Sequence, residues 1–120
     1  MILLWGAPGA GKTTFAQGLG CGLGVIGPVQ SPTFTLIAEY RAPVLAPDGE
    51  FAHIDLFRLE ASGDIDAIGL DEYFDRDDCV TAIEWPDRAD VARFPPHWSV
   101  EIQVGNGDDR MITIREPDRG

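Results

Sequence analysis

The segment from Gly6 to Thr13 carries the residues best suited to chemistry. It contains two glycines separated by four residues and followed by lysine and threonine, which is the pattern of a phosphate-binding loop. The glycines of such a loop let the backbone curl so that its N–H groups point inward at phosphate oxygens. We expect Lys12, the only lysine in the chain, to reach the β and γ phosphates of a nucleoside triphosphate. Thr13 is expected to place its hydroxyl on Mg²⁺.

The elements that must position this loop are visible on both sides of it. Residues Met1 to Trp5 form an apolar run typical of a buried parallel strand. After the loop, Phe15, Leu19 and Leu23 recur every four residues, which predicts a helix with one apolar face. Gly24 is its expected C-terminal stop, and the helix N-terminus would face the phosphates. The residues expected to contact the nucleotide here are Pro8, Gly9, Ala10, Gly11, Lys12, Thr13 and Thr14.

Two later apolar segments are predicted to be strands that end in carboxylates, one at Asp55 and one at Glu84. The carboxyl ends of parallel strands meet at one edge of a sheet, so both carboxylates could converge on the phosphates and Mg²⁺. We expect Asp55 to hold the metal. Glu84 could hold it directly or through water, or orient the attacking water. Trp85 either lies near the nucleotide or packs as a lid, and His53 is expected to be a packed, hydrogen-bonded histidine.

The segment Ser31-Pro-Thr-Phe-Thr35 follows the predicted helix and leads into a predicted strand at Leu36 to Tyr40. A threonine in a loop at this place can sense a γ-phosphate, as in switch segments ordered by phosphate and Mg²⁺. Ser31, Thr33 and Thr35 are therefore switch-like candidates. A turn followed by threonines on a strand is equally compatible with the spacing.

The remaining segments complete an α/β pattern. An acidic stretch from Ser62 to Asp78 predicts a solvated helix with Ser62 as its N-cap, or an acidic docking surface for a basic partner. Alternating residues at Trp98 to Val104 and Arg110 to Arg115 predict an antiparallel hairpin with one buried face. We therefore predict a phosphate-loop NTPase-like three-layer fold with a mainly parallel sheet and a C-terminal hairpin, formed by residues 1–120 as one domain.

Composition limits the classes of function. The formal net charge of -11 over 120 residues argues against direct binding to a nucleic-acid backbone, since such binding relies on neutralising phosphates. Cys21 and Cys79 lack metal-ligand spacing and are expected to be reduced thiols. The sequence contains no signal peptide, membrane span or lipidation motif, so we expect a cytoplasmic protein that does not contact a membrane.

Taken together, these motifs resemble the TsaE family, also called YjeE. The resemblance covers almost the whole chain, and the loop alone is shared by many families, whereas the other segments in this order are far more specific. The segments that carry it are Gly-Ala-Gly-Lys-Thr-Thr in the loop, Ser31-Pro-Thr-Phe-Thr35, His53-Ile-Asp-Leu-Phe-Arg-Leu59, Ile68-Gly-Leu70 and Ile83-Glu-Trp-Pro-Asp-Arg88.

The resemblance implies an ATPase that binds ATP with Mg²⁺, hydrolyses it slowly alone, and joins the TsaB and TsaD proteins. Those partners make threonylcarbamoyladenosine (t6A) in tRNA, so contact with tRNA would be indirect. By motif, Lys12 and the loop amides would bind phosphate, Thr13 and Glu84 would hold Mg²⁺, and Asp55 would support the metal or the water. Thr33 would belong to the switch segment. Trp85 and Arg110 would contact the nucleotide. The catalytic set is thus Lys12, Asp55 and Glu84.

Two departures from the family pattern and three alternatives accompany this interpretation. Family members have a segment before the phosphate-loop strand, which here begins almost at Met1, so we expect either that the true start lies upstream or that this protein lacks the segment. Pro8 stands where leucine is common and removes one backbone donor. A small-molecule kinase would need an arginine-rich lid, which we do not find, and a GTP switch is excluded because its Asn-Lys-x-Asp motif needs a second lysine. A nucleotide-dependent assembly switch with negligible turnover remains open.

Overall fold

The computed structural model describes residues 1–27, 29, 36–57 and 69–118. Six strands form one sheet in the order β2-β3-β4-β1-β5-β6. The strands are β1 (Ile2–Trp5), β2 (Ile37–Arg41), β3 (Glu50–Asp55), β4 (Cys79–Glu84), β5 (Trp98–Val104) and β6 (Arg110–Arg115). Within these residues there is one α-helix, α1 (Lys12–Gly22), and there are three short 3₁₀ helices, Leu70–Tyr73, Pro86–Arg88 and Val91–Arg93.

The centre of the sheet is parallel and both edges are antiparallel. Strands β3, β4, β1 and β5 run parallel, while β2 pairs antiparallel with β3 and β6 pairs antiparallel with β5. The predicted mainly parallel sheet with a C-terminal hairpin is confirmed. The antiparallel pairing of β2 was not anticipated, because nothing in its sequence shows which neighbour it takes.

The register of the central strands places the two predicted carboxylates side by side. Asp55 at the end of β3 pairs with Glu84 at the end of β4, and Glu84 pairs on its other side with Leu4 of β1. The loop with the phosphate-binding pattern, Gly6 to Thr13, begins immediately after β1. Both carboxylates therefore meet the loop at one edge of the sheet, as expected for a ligand site at the carboxyl ends of parallel strands.

Apolar residues cover both faces of β1, β3 and β4. Helix α1 packs on one face, where Leu4, Phe51 and Ala82 are fully buried. On the other face Leu3, Ile54 and Ile83 are fully buried and pack with Tyr73 and Val91 of the 3₁₀ helices and with Phe94, which follows the last of them. Residues buried on both faces explain why the central strands appear in the sequence as nearly continuous apolar runs.

The buried line of α1 differs from the predicted one. Ala16 and Gly20 are buried, whereas Phe15, Leu19 and Leu23 are only partly buried at the margin of the core. A Cβ added at Gly20 would lie 2.6 Å from a methyl carbon of Val29. The helix approaches its neighbours so closely that only small residues fit along the line of contact, and the large apolar residues flank it.

Two further predictions were wrong in part. Every residue of β6 is exposed, including Ile112 and Ile114, so the hairpin buries only residues of β5, such as Val100 and Ile102. As the last strand of the sheet, β6 has a neighbour on one side only, and alternation alone could not show that no layer covers it within the described structure. In the acidic stretch, Ser62 lies outside the described residues, and the described part forms the 3₁₀ turn Leu70–Tyr73 rather than an α-helix.

No helix in the described ranges has the length and apolar character needed to cross a membrane.

Candidate phosphate-binding site

A cavity of about 420 Å³ lies where the phosphate loop meets the ends of β3 and β4. Gly9 and Gly11 take backbone φ angles of +77° and +117°, which side chains rarely adopt, so glycine is required at these turns. Helix α1 begins at Lys12, and its first N–H groups have no partners within the helix. The residues lining the cavity are Pro8, Gly9, Gly11, Lys12, Thr13, Thr14, Asp55, Phe57, Glu84 and Trp85.

Lys12 is held by contacts within the protein. Its Nζ donates a hydrogen bond of 2.6 Å to the carbonyl oxygen of Gly6 and lies 3.6 Å from the ring centroid of Trp85. The side chain is buried, and burial lowers the pKa of its ammonium, an effect partly opposed by nearby carboxylates, first among them Glu84. A buried cation in a glycine-rich loop is suited chemically to an anion, since an anion would offset the cost of burial.

Glu84 is the centre of the polar contacts in the cavity. The hydroxyl of Thr13 donates to both of its carboxylate oxygens, at 3.1 Å each. Nε2 of His53 lies 2.5 Å from Oε2 of the same carboxylate. Glu84 is only 3% exposed, so these side chains, rather than bulk water, set the direction of its carboxylate.

Asp55 lies beside Glu84 and completes a set of oxygen donors. One of its carboxylate oxygens accepts the backbone N–H of Phe57 at 3.0 Å. Hydroxyl and carboxylate oxygens are the ligands that Mg²⁺ prefers, so Thr13, Asp55 and Glu84 fit this ion chemically. Among the described residues, no group of three or more histidine, cysteine, aspartate or glutamate side chains could hold a metal ion. A magnesium ion here would need phosphate oxygens and water as further ligands.

Trp85 forms part of the wall of the cavity. It packs against both the Lys12 ammonium and the ring of Phe57, whose centroid lies 5.0 Å away. Its φ of +59° makes it the one described non-glycine residue with positive φ. Such a conformation costs on the order of 1–3 kcal/mol and persists only where surrounding contacts enforce it. The turn after β4 is thus bent so that the indole faces the phosphate loop.

Arg110 is brought to the other side of the loop from the far edge of the sheet. Its Nε donates a hydrogen bond of 3.0 Å to the carbonyl oxygen of Ala10. It also lines an adjoining cavity of about 400 Å³, which includes Ala10 and shares Gly9, Gly11 and Thr14 with the first cavity. Ala10, within the loop, and Arg110, beside it, therefore do not line the cavity that holds Lys12 and Glu84.

The structure brings most of the predicted site together and adds contacts that the sequence did not indicate. The hydrogen bond of Lys12 to Gly6 and the position of Phe57 in the cavity were not predicted. His53 is packed and hydrogen-bonded as predicted, but its partner Glu84 was unknown. Side chains alternate along a strand, so the sequence already placed His53 on the same face as Asp55. The sequence did not give the register between β3 and β4, which brings His53 next to Glu84. Ser31, Thr33 and Thr35 lie outside the described residues, so the switch segment stays a prediction.

Comparison with known proteins gives a consistent result. A family model described as threonylcarbamoyl adenosine biosynthesis protein TsaE matches residues 1–112. A protein named tRNA threonylcarbamoyladenosine biosynthesis protein TsaE from Synechocystis sp. is 42% identical over 91 residues, covering 73% of this chain and 55% of the relative. Its namesake from Bacillus subtilis is 37% identical over 114 residues, covering 95% and 68%.

Among solved structures, the crystal structure of YdiB from Bacillus subtilis superimposes with a TM-score of 0.67 and 30% identity, covering 94% of this chain and 65% of that one. The chain spans little more than half of the Synechocystis relative and just under two thirds of the YdiB chain.

Proposed function

The chain belongs to the TsaE family of threonylcarbamoyl adenosine biosynthesis proteins, and from this membership we propose that it binds ATP with Mg²⁺ in the cavity around Lys12 and hydrolyses ATP slowly. The hydrolysis would support the TsaB and TsaD proteins in forming threonylcarbamoyladenosine in tRNA. The observation that carries the proposal is the convergence of Lys12, Thr13 and Glu84 at one glycine-rich loop.

Phosphate binding is the first step that these residues support. The bend at Gly9 and Gly11 and the start of α1 supply backbone N–H groups for phosphate oxygens. Lys12 would exchange the Gly6 carbonyl and the Trp85 ring for the β and γ phosphates. That exchange is favourable because two phosphate charges replace one carbonyl dipole as partners of a buried ammonium.

Metal binding would use the oxygen donors beside the loop. Because Thr13 donates its single hydroxyl proton to Glu84, the lone pairs of its Oγ1 remain to face a cation. Thr13 and Glu84 would hold Mg²⁺, and Asp55 would support the metal or the attacking water. When bound, the ion neutralises phosphate charge during phosphoryl transfer.

The net charge of the chain is the reason why the proposal includes the partner proteins. A chain with a net charge of -11 repels the tRNA backbone, so contact with tRNA is assigned to TsaB and TsaD. In this scheme ATP hydrolysis acts on the protein complex, and the nucleic acid is contacted only through the partners.

The proposal is tested by measuring ATP hydrolysis by this chain alone and after addition of TsaB and TsaD, with Lys12→Ala as the comparison. We expect slow turnover alone, faster turnover with the partners and none in the variant. Absence of ATP binding together with no effect of the partners would overturn the proposal.

A nucleotide-dependent assembly switch with negligible turnover is the second candidate. The contact of Lys12 with Trp85 favours it, since nucleotide would break that contact and change the site without any hydrolysis. Glu84→Gln separates the two functions. Loss of hydrolysis with ATP binding retained would support catalysis, whereas equal loss of both would make Glu84 chiefly a metal holder.

A further inference from the structure

We propose that His53 is a positioning residue for the magnesium site. It fixes the carboxylate of Glu84 so that this group accepts the hydrogen bond donated by the Thr13 hydroxyl, leaving the lone pairs of Thr13 Oγ1 directed at Mg²⁺. This role rests on the proposed function, because it concerns how the same cavity prepares for Mg²⁺ and ATP.

The strand register explains how His53 reaches Glu84. His53 pairs with Ala82, two residues before Glu84, and side chains two apart share one face of a strand. Ala82 has only a methyl group, which leaves room for the imidazole to extend along the sheet toward the carboxylate. The resulting contact of 2.5 Å joins Nε2 of His53 to Oε2 of Glu84. Both groups are shielded from solvent, since His53 is 0% exposed and Glu84 3% exposed.

The chemistry of the three groups assigns their hydrogens. A carboxylate only accepts hydrogen bonds, so Nε2 of His53 and Oγ1 of Thr13 are both donors to Glu84. With Oε2 held by His53 from behind, the carboxylate keeps one orientation toward Thr13. Because the Glu84 carboxylate is buried, water does not readily replace His53 as its hydrogen-bond donor. Without His53 the carboxylate would rotate away from Thr13, and the hydroxyl proton would be free to point at the cation.

Groups that orient metal ligands from behind typically change metal affinity or activity by about 10–100-fold when they are removed. A histidine with a purely structural role would lower stability without changing how nucleotide binding depends on Mg²⁺. The response to Mg²⁺ therefore separates positioning from packing.

The test compares His53→Leu, which fills the space without a donor, with His53→Gln, which keeps a side-chain N–H at similar reach. ADP affinity is measured by calorimetry across a Mg²⁺ series and in EDTA, and ATP hydrolysis is followed in parallel. We expect His53→Leu to need about ten-fold more Mg²⁺ for half of the metal-dependent tightening, with unchanged affinity in EDTA. His53→Gln should recover most of the wild-type response.

Phe51→Leu is the matched control, because Phe51 is also fully buried on β3 and faces the same side. It should lower the melting temperature and leave the Mg²⁺ response unchanged. If His53→Leu does not fold, His53→Asn replaces it, since its shorter amide does not reach Glu84, and the same rise in Mg²⁺ requirement is expected.

Each contrary outcome overturns a defined claim. A folded donor-free variant with the wild-type Mg²⁺ response would overturn the role of His53 alone, as would an equal loss of affinity with Mg²⁺ and in EDTA. A wild-type chain that binds no nucleotide would overturn the proposed function, and the role of His53 with it.

Discussion

Replacing Lys12 with methionine separates the contribution of this side chain to folding from its contribution to nucleotide binding. Methionine keeps the length and most of the volume of the lysine stem and removes the ammonium. Two contacts are lost, the hydrogen bond of 2.6 Å to Gly6 and the contact of 3.6 Å with the face of Trp85. Everything else in the loop can stay in place.

The effect on folding is small because large terms oppose each other. A hydrogen bond from a charged group contributes about 1.5–3 kcal/mol and a desolvated cation–π contact about 2 kcal/mol. Against them stands the burial of the ammonium, and the lowered pKa of Lys12 shows that burial outweighs the attraction of the nearby carboxylates. The thioether also packs well on an indole ring. We expect the unfolding free energy without nucleotide to stay within about 1 kcal/mol of wild type, or to rise.

The effect on nucleotide binding is large because no other lysine exists and the phosphates lose their buried cation. Removing one partner of a buried, hydrogen-bonded charge pair costs about 2 kcal/mol or more, which is about thirty-fold in Kd. Urea unfolding without nucleotide measures the first effect, and calorimetry with ATP and Mg²⁺ measures the second. Arg41→Met is the control, since Arg41 is exposed and pairs with Glu50 at the opposite end of β3 from the cavity.

The pH dependence of the stability difference between wild type and Lys12→Met follows from the lowered pKa of Lys12. Because the folded-state pKa of Lys12 is lowered from 10.5, the unfolded chain binds more protons between the two values. Wild-type stability relative to Lys12→Met should therefore rise with pH through that window and level off above 10.5. Wild-type affinity for ATP in the variant, or a loss of several kcal/mol of stability without nucleotide, would refute the reasoning.

Three further predictions concern other parts of the chain. Gly18→Ala should raise the unfolding free energy by up to about 1 kcal/mol, since nothing lies within 4 Å of the added Cβ. Gly20→Ala should lower it by about 1–3 kcal/mol through overpacking; urea unfolding of both variants checks the pair, and shifts of the same sign would contradict the packing of α1. Thr13→Val should abolish the tightening of ADP binding by Mg²⁺ while affinity in EDTA is retained, and Thr13→Ser should restore it; calorimetry that shows full Mg²⁺ dependence in the valine variant would count against the hydroxyl as a ligand. Near pH 8, iodoacetamide should label exposed Cys21 faster than Cys79, whose thiol pKa is raised by burial, and peptide mass spectrometry would reveal the opposite order if this is wrong.

The positions of the strands along the chain could be predicted well from the sequence. Their pairing within the sheet could not. The predicted bounds of β5 and β6 and the predicted ends of β3 and β4 agree with the structure, because apolar runs and alternation are local patterns that survive into the fold. These local patterns did not show which strand β2 pairs with or that β6 is exposed. Pairing and coverage depend on what packs against a strand, and that is decided by residues far away in the chain.

The helix shows the same limit at the level of packing. The spacing of Phe15, Leu19 and Leu23 predicted a helix, and these side chains lie partly buried at the margin of the core. It could not show that the closest approach runs along Ala16 and Gly20, because hydrophobicity does not record the distance to the neighbouring strand. Steric contact at Gly20 set that line.

By itself the sequence determined the glycine-rich loop with its phosphate-binding pattern, the two strand-end carboxylates and the family. These features lie in contiguous residues, where glycine conformations and side-chain types act through the local backbone. Only the tertiary structure decided how Glu84 is held, since Thr13 is 71 residues away from it and His53 31 residues away. It also decided that Arg110 meets Ala10, 100 residues earlier in the chain. Such contacts depend on the strand register and on the position of α1 against the sheet. Both are set by the burial of side chains from distant parts of the chain.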